Sequence, residues 1–238
     1  MLAWLDGNSP FPPLNRALQS PNGLLAAGGD LSPQRLLQAY SQGIFPWYNP
    51  GEPILWWSPN PRMVLIPQQL RVTRSLAKVL RNRSYEIRVD TAFRQVMTAC
   101  AAPRDAEGGS WIGPEIIDGY CELHRLGHAH SIETWINGEL AGGLYGVALG
   151  KMFYGESMFT RSNDASKIAF VHLVQKLQQW GCGMIDCQMF TDHLHSFGAQ
   201  LIPREQFTAK LRLLIAEEAM FQPWHYRNVP TSTAKSPG

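Results

Sequence analysis

Cysteine is scarce in this chain: Cys100, Cys121, Cys182 and Cys187 are the only four among 238 residues. That is far too few for a disulfide-stapled domain, and no Cys/His spacing resembles a zinc site. Charge is thin as well, at 17% of residues with a formal net charge of +2. Any electrostatic argument must therefore rest on local clusters. No apolar stretch approaches the roughly 20 residues of a membrane helix, and the opening M-L-A-W-L-D-G has no basic n-region. These absences predict a home in the reducing cytoplasm, with no membrane association.

What is present is a globular composition, 45% hydrophobic, suited to one large domain and one small one. The expected division is a Pro/Gly/Trp-rich small domain over 1–62, a larger one over 63–222 and a mobile Ser/Thr/Pro-rich tail over 223–238. In the first, Ser32-Pro33 starts a helix that Gly43 stops. Prolines at 46, 50, 53, 59 and 61 then forbid a long helix. Trp47, Trp56 and Trp57 sit in this segment. Core packing and a stacking platform for a nucleobase are both open to them.

From Arg71 the pattern changes. Thr73 caps a helix with Leu76, Val79 and Leu80 inward, while Arg74, Lys78 and Arg81 share a face and Arg83 follows in the turn. A solvated face and a phosphate-facing patch are both compatible with that run. A helix over 91–102, the loop P-R-D-A-E-G-G-S and a helix from Pro114 to before Gly127 come next. His124, His128 and His130 straddle that helix end and no Cys or carboxylate completes a set, so no metal is expected. Turn signals at Asn137-Gly138 and Leu149-Gly150 then predict an antiparallel meander of strands 131–136, 139–148 and 151–159. Glycines at 142, 143, 146 and 155 suit close approach by a backbone or ligand. Glu156 stands in the third strand among apolar residues.

The stretch Ser166 to Phe190 organises the rest. Ile168, Phe170, Val171, Val174 and Leu177 recur at helical spacing, and Gly181 and Gly183 end that helix. Strict alternation over 184–190 places Met184, Asp186, Gln188 and Phe190 on one face, with Cys187 turned away as a buried thiol. An acid and an amide on an apolar strand must be hydrogen-bonded or face a cleft. Strands, helix, strand is the order of an acyltransferase core of the acetyltransferase (GNAT) type, giving an α+β fold with a mixed, mostly antiparallel sheet. Acyl-CoA enzymes of that type cradle pyrophosphate in a glycine-rich loop at the helix start. Here that segment is T-R-S-N-D-A-S-K, without glycine and with Asp164, which disfavours acyl-CoA.

Collinear motifs carry a resemblance: N-G-L-L-A-A-G-G-D-L-S-P, G-I-F-P-W, P-I-L-W-W-S-P, G-H-A-H-S-I-E, G-G-L-Y-G-V, F-Y-G-E-S-M-F, A-S-K, I-D-C-Q, S-F-G-A and I-P-R. Together they resemble the bacterial leucyl/phenylalanyl-tRNA–protein transferases between residues 11 and 207. The resemblance implies a small N-terminal domain before a GNAT-like one. It implies transfer of Leu or Phe from Leu-tRNA or Phe-tRNA to the α-amine of proteins beginning with Arg or Lys, marking them for degradation. It matches Asp186 and Gln188 to the catalytic pair, Glu156 to a supporting acid, and Trp47 and Trp111 to the residues holding the terminal adenosine. The amino-acid pocket maps to Leu144, Phe153, Leu173 and Ile185, with Tyr120 and Phe170. Arg74, Lys78, Arg81 and Arg83 are the candidate tRNA contacts. An aminoacyl ester is already activated, so no cofactor or metal is expected, and a monomer suffices. An acetyl-CoA-dependent N-acetyltransferase and a non-catalytic RNA-binding module are the alternatives.

Overall fold

The computed structural model describes residues 2–7, 9–102, 110–219 and Trp224. Among the described residues up to 57, a small four-stranded sheet forms with one α-helix and a short 3-10 turn at Leu14–Arg16: β1 (Ala3–Leu5), β2 (Leu24–Gly28), α1 (Pro33–Ser41), β3 (Phe45–Pro46) and β4 (Leu55–Trp57). The sheet order is β1-β2-β4-β3, with β1 and β2 parallel and the other pairs antiparallel. Ser32 caps α1 by accepting a hydrogen bond from the Arg35 amide. Trp56 and Trp57 are buried, and their indoles donate to the carbonyls of Gly28 and Trp47. Trp47 stays exposed.

Sheet membership changes at β5 (Arg62–Leu65), which the Pro-rich sequence hides. After it come α2 (Arg74–Asn82), β6 (Glu86–Val89), α3 (Phe93–Cys100) and α4 (Pro114–Arg125). The meander follows as β7 (Ala129–Ile136), β8 (Glu139–Leu149) and β9 (Met152–Thr160). Then come α5 (Ala165–Gln179), β10 (Met184–Gln188), α6 (Asp192–Ser196), β11 (Gln200–Ile202) and α7 (Arg204–Ile215). The seven-stranded order is β11-β5-β10-β9-β8-β7-β6, antiparallel except for the β9–β10 pair. The fold is α+β with mixed sheets and a small N-terminal part, as expected.

Each face of the large sheet has its own apolar layer. On one side, α1, α3, α4, α7 and the small sheet share a core that includes Leu36, Tyr40, Trp56, Ile116, Tyr145, Tyr154 and Phe207. On the other, α5 and α2 cover Ile132, Leu144, Phe153 and Ile185. The start of α5 lies directly on β8: a Cβ on Gly142 would fall 2.6 Å from that of Ala165. This is the close backbone approach that the meander glycines predict. Most of the expected tail, 223–238, and most of the P-R-D-A-E-G-G-S loop lie outside the described residues, but Trp224 is buried.

Candidate active site

The β9–β10 ladder runs from Met152/Met184 to Tyr154/Asp186 and stops there. Beyond it β10 bulges between Asp186 and Gln188, and β9 bulges opposite Tyr145 and Gly146. A bulge adds an unpaired residue and bends its strand, so the two strands part. A cavity of about 470 Å³ opens between them.

The cavity gathers most of the expected site residues. Leu144, Phe153, Phe170, Leu173 and Ile185 line it with Met158, and Trp47, Trp111, Glu156 and Gln188 border it as well. The small N-terminal part contributes Phe45, Pro46 and Trp47, Trp111 comes from the segment before α4, and β8, β9, α5, β10 and the segment through α6 supply the rest. Tyr120 is not a lining residue. It is fully buried on α4, where its hydroxyl donates to Glu156 Oε2 at 3.2 Å.

Asp186 departs from expectation too. Alternation places it beside Gln188, but the bulge puts Gln188 at φ +62° and rotates the two side chains apart. Asp186 is sealed in the interior, receiving Arg62 Nε on Oδ1 at 2.8 Å and Nη2 on Oδ2 at 2.6 Å. Oδ1 also accepts the Gln188 amide N–H at 2.9 Å, which pins the bend. Arg62 donates its remaining nitrogen, Nη1, to the Gly43 carbonyl at 3.1 Å. The same bulge brings Cys187 to the cavity edge, still buried. Burial pushes its thiol well up, so it is no thiolate nucleophile.

Gln188 instead meets Glu156, donating Nε2 to Oε1 at 2.9 Å. Tyr40 donates to the same oxygen at 2.8 Å and is hydrogen-bonded to the Tyr120 hydroxyl. Burial, reinforced by the adjacent Glu156 charge, pushes both phenols well up, so they remain protonated donors. Burial also raises Glu156 to about 7, against the pull of those two hydroxyls. What Glu156 exposes faces the cavity. The backbone carbonyl of Tyr40 accepts the Tyr154 hydroxyl at 2.9 Å, tying α1 to β9.

Sequence reasoning missed Tyr40, Arg62 and His193. Tyr40 reads as one more apolar residue of α1. Arg62 had a signal, an arginine heading the apolar run M-V-L-I. His193 borders the cavity from α6, its imidazole shifted toward the neutral form by burial and by Lys167.

Arg74, Lys78 and Arg81 are exposed along α2. Arg83 differs: it is half-buried, and its guanidinium donates to the Asn163 carbonyl and, at 2.6 Å, to Ser162 Oγ. At the start of α5, Asp164 sits in the left-handed region at φ +62° and pairs with Lys167 at 2.7 Å. An acid there opposes a bound diphosphate. Among the described residues, Asp90, His124 and His130 form the group that could hold a metal, Asp90 being the carboxylate the sequence alone does not place. It borders neither the cavity nor Glu156. Its atoms are already engaged: His130 Nδ1 and the Ser131 amide each lie 2.8 Å from Asp90, and His124 Nδ1 lies 2.8 Å from the Ala129 carbonyl. No helix among the described residues is long and apolar enough to cross a membrane.

Two family models match this chain: the leucyl/phenylalanyl-tRNA protein transferase over residues 64–212, and that family's N-terminal domain over 29–60. The leucyl/phenylalanyl-tRNA–protein transferase of Chromobacterium violaceum is 61% identical over 230 residues, 96% of this chain and 99% of that one. That of Nitrosomonas europaea is 60% identical over 226 residues, 95% and 96% of the two chains. Among solved structures, a functionally unknown conserved protein from Staphylococcus epidermidis is a looser likeness, with a TM-score of 0.42 and 10% identity over 76% of this chain and 68% of that one. By near-full-length identity to these transferases, and by family models matching both its parts, the chain belongs to the leucyl/phenylalanyl-tRNA–protein transferase family.

Proposed function

We propose that this chain moves Leu or Phe from the 3′ end of a charged tRNA to the α-amine of proteins beginning with Arg or Lys, marking them for degradation. It would do so in the cytoplasm, as a monomer, on a GNAT-like frame in which the parted β9 and β10 hold the acyl group. The observation that carries this reading is one juxtaposition: the Gln188–Glu156 pair borders an apolar cavity that two tryptophans also line.

The donor side chain occupies the region of Leu144, Phe153, Phe170, Leu173 and Ile185. Such a pocket accepts large apolar side chains and discriminates modestly, by about 1–3 kcal/mol per methylene. The terminal adenosine stacks on Trp47 and Trp111, as sequence-tolerant aromatic platforms allow. The ester carbonyl then lies near Gln188.

The attacking α-amine, with a free pKa near 8, must be neutral. Because Glu156 holds Gln188 Nε2, the amide carbonyl oxygen is the atom presented to the cavity. It can accept a hydrogen bond from the amine and orient the nitrogen lone pair. Nitrogen bonds to the carbonyl carbon, the ester C–O bond breaks, and the amine proton passes to the departing ribose oxygen. Holding the two reactants at this distance removes much of the barrier, and the ester needs no further activation by a nucleotide or metal. Asp186 acts at one remove, through Arg62 and the Gln188 amide N–H.

The test is to incubate the purified protein with labelled Phe-tRNA or Leu-tRNA and a peptide starting with Arg, in EDTA and without nucleotide. Labelled peptide should form, and Gln188→Ala should slow it far more than it weakens tRNA binding. Strict dependence on acetyl-CoA or a divalent metal would overturn the reading.

A further inference from the structure

Trp224 lies beyond the residues that either family model matches, yet it is only 3% exposed. Its indole stacks on His130 at 3.9 Å with the planes 8° apart. Trp180 meets it edge-on at 4.8 Å, and Phe153 lies tilted at 5.9 Å. His130 is itself fixed by Asp90, 2.8 Å from Nδ1. The indole is therefore held on three sides by aromatic rings.

Phe153 and Leu173 each have two sides. One side lines the large cavity. On the other, Phe153 packs on Trp224, and Leu173 shares with Trp224 a void of only about 10 Å³, bordered by Ile87, Val89 and Ile132. A void of that size is at the threshold for a single water. Close-packed interiors yield only where there is space to yield into. With the indole in place, neither wall can retract to admit a bulkier side chain.

We infer that Trp224 is a specificity-determining residue: it backs Phe153 and Leu173 and so sets the depth of the donor side-chain pocket. The inference rests on the reading of the cavity as that pocket. Removing the indole gives the walls room to move outward, which favours the larger donor. A residue that merely fastened the end of the chain would lower both donors alike.

Competition between Phe-tRNA and Leu-tRNA tests this in the full chain, because the ratio of their kcat/KM values does not depend on how much of a preparation is folded. In Trp224→Ala the Phe/Leu ratio should rise by about fivefold, less than the ~10-fold that one extra or missing substrate methylene is worth in an apolar pocket. Trp224→Phe should move it the same way by less, and it carries the test if Trp224→Ala does not fold. Leu173→Phe, which narrows the pocket directly, should move the ratio toward Leu. If Leu173→Phe shifts the ratio and the Trp224 variants stay within about twofold of wild type, Trp224 has no such role. If Leu173→Phe changes nothing either, the cavity is not the donor pocket and both readings fall.

Discussion

Arg62 grips Asp186 with two parallel hydrogen bonds, Nε to Oδ1 and Nη2 to Oδ2, and both side chains are closed to solvent. The pair sits under the bend that aims Gln188. Taking one partner from a buried ion pair leaves the other charge uncompensated, at a cost of about 3–5 kcal/mol. Asp186→Ala should therefore lose stability of that order as well as turnover. Urea unfolding measures it, and a loss below about 1 kcal/mol would show that the pair does not hold the fold.

Glu156 should give the protein a pH-dependent stability. Burial raises its carboxyl from 4.5 to about 7, so folding favours the protonated form. The contribution is complete below about 4.5 and is lost as pH climbs through about 7. Glu156→Gln cannot titrate and should flatten the slope across that window. Unfolding free energies of both proteins between those limits decide it; identical slopes would assign the ionisation elsewhere.

Gln188 is held at φ +62°, where a side chain is strained and glycine is not. Gln188→Ala and Gln188→Gly both delete the amide, and transfer should slow equally in each. Gln188→Gly should nevertheless be the more stable by about 1 kcal/mol. The reverse order in thermal unfolding would mean that the backbone there is relaxed.

The exposed face of α2 should act through charge alone. Replacing Arg74, Lys78 and Arg81 by Ala should weaken tRNA binding and flatten its salt dependence, since each phosphate contact releases counterions. An aminoacylated adenosine should react as before. Arg83→Ala belongs to another class, because its guanidinium holds the turn of Ser162 and Asn163. That change should loosen the start of α5 and affect both substrates.

Those contrasts separate what the sequence made legible from what it did not. Periodicity and turn residues located α5 and the meander, because those elements obey local spacing rules, while the cavity's apolar wall came only from the family resemblance. The meander strands came within two residues of their expected bounds, and α5 ends just before Gly181 as expected. Alternation failed at Asp186 and Gln188 because a bulge is set by pairing with β5, a partner far away in sequence. Tyr40 stayed hidden for the same reason: it lies on α1, and its partner Glu156 is on β9, more than a hundred residues away in sequence. Arg83 shares the α2 charge pattern, and only the loop opposite turns it inward.

Tyr40 uses both of its oxygens to reach β9, the hydroxyl at Glu156 and the carbonyl at Tyr154. The amide that Glu156 orients is made much later, at position 188. During synthesis the first half of this network therefore leaves the ribosome long before the second. A nascent chain short of β10 has neither the amide that Glu156 holds nor the carboxylate that Arg62 grips. The network is completed in one late step, when β10 slots between β5 and β9.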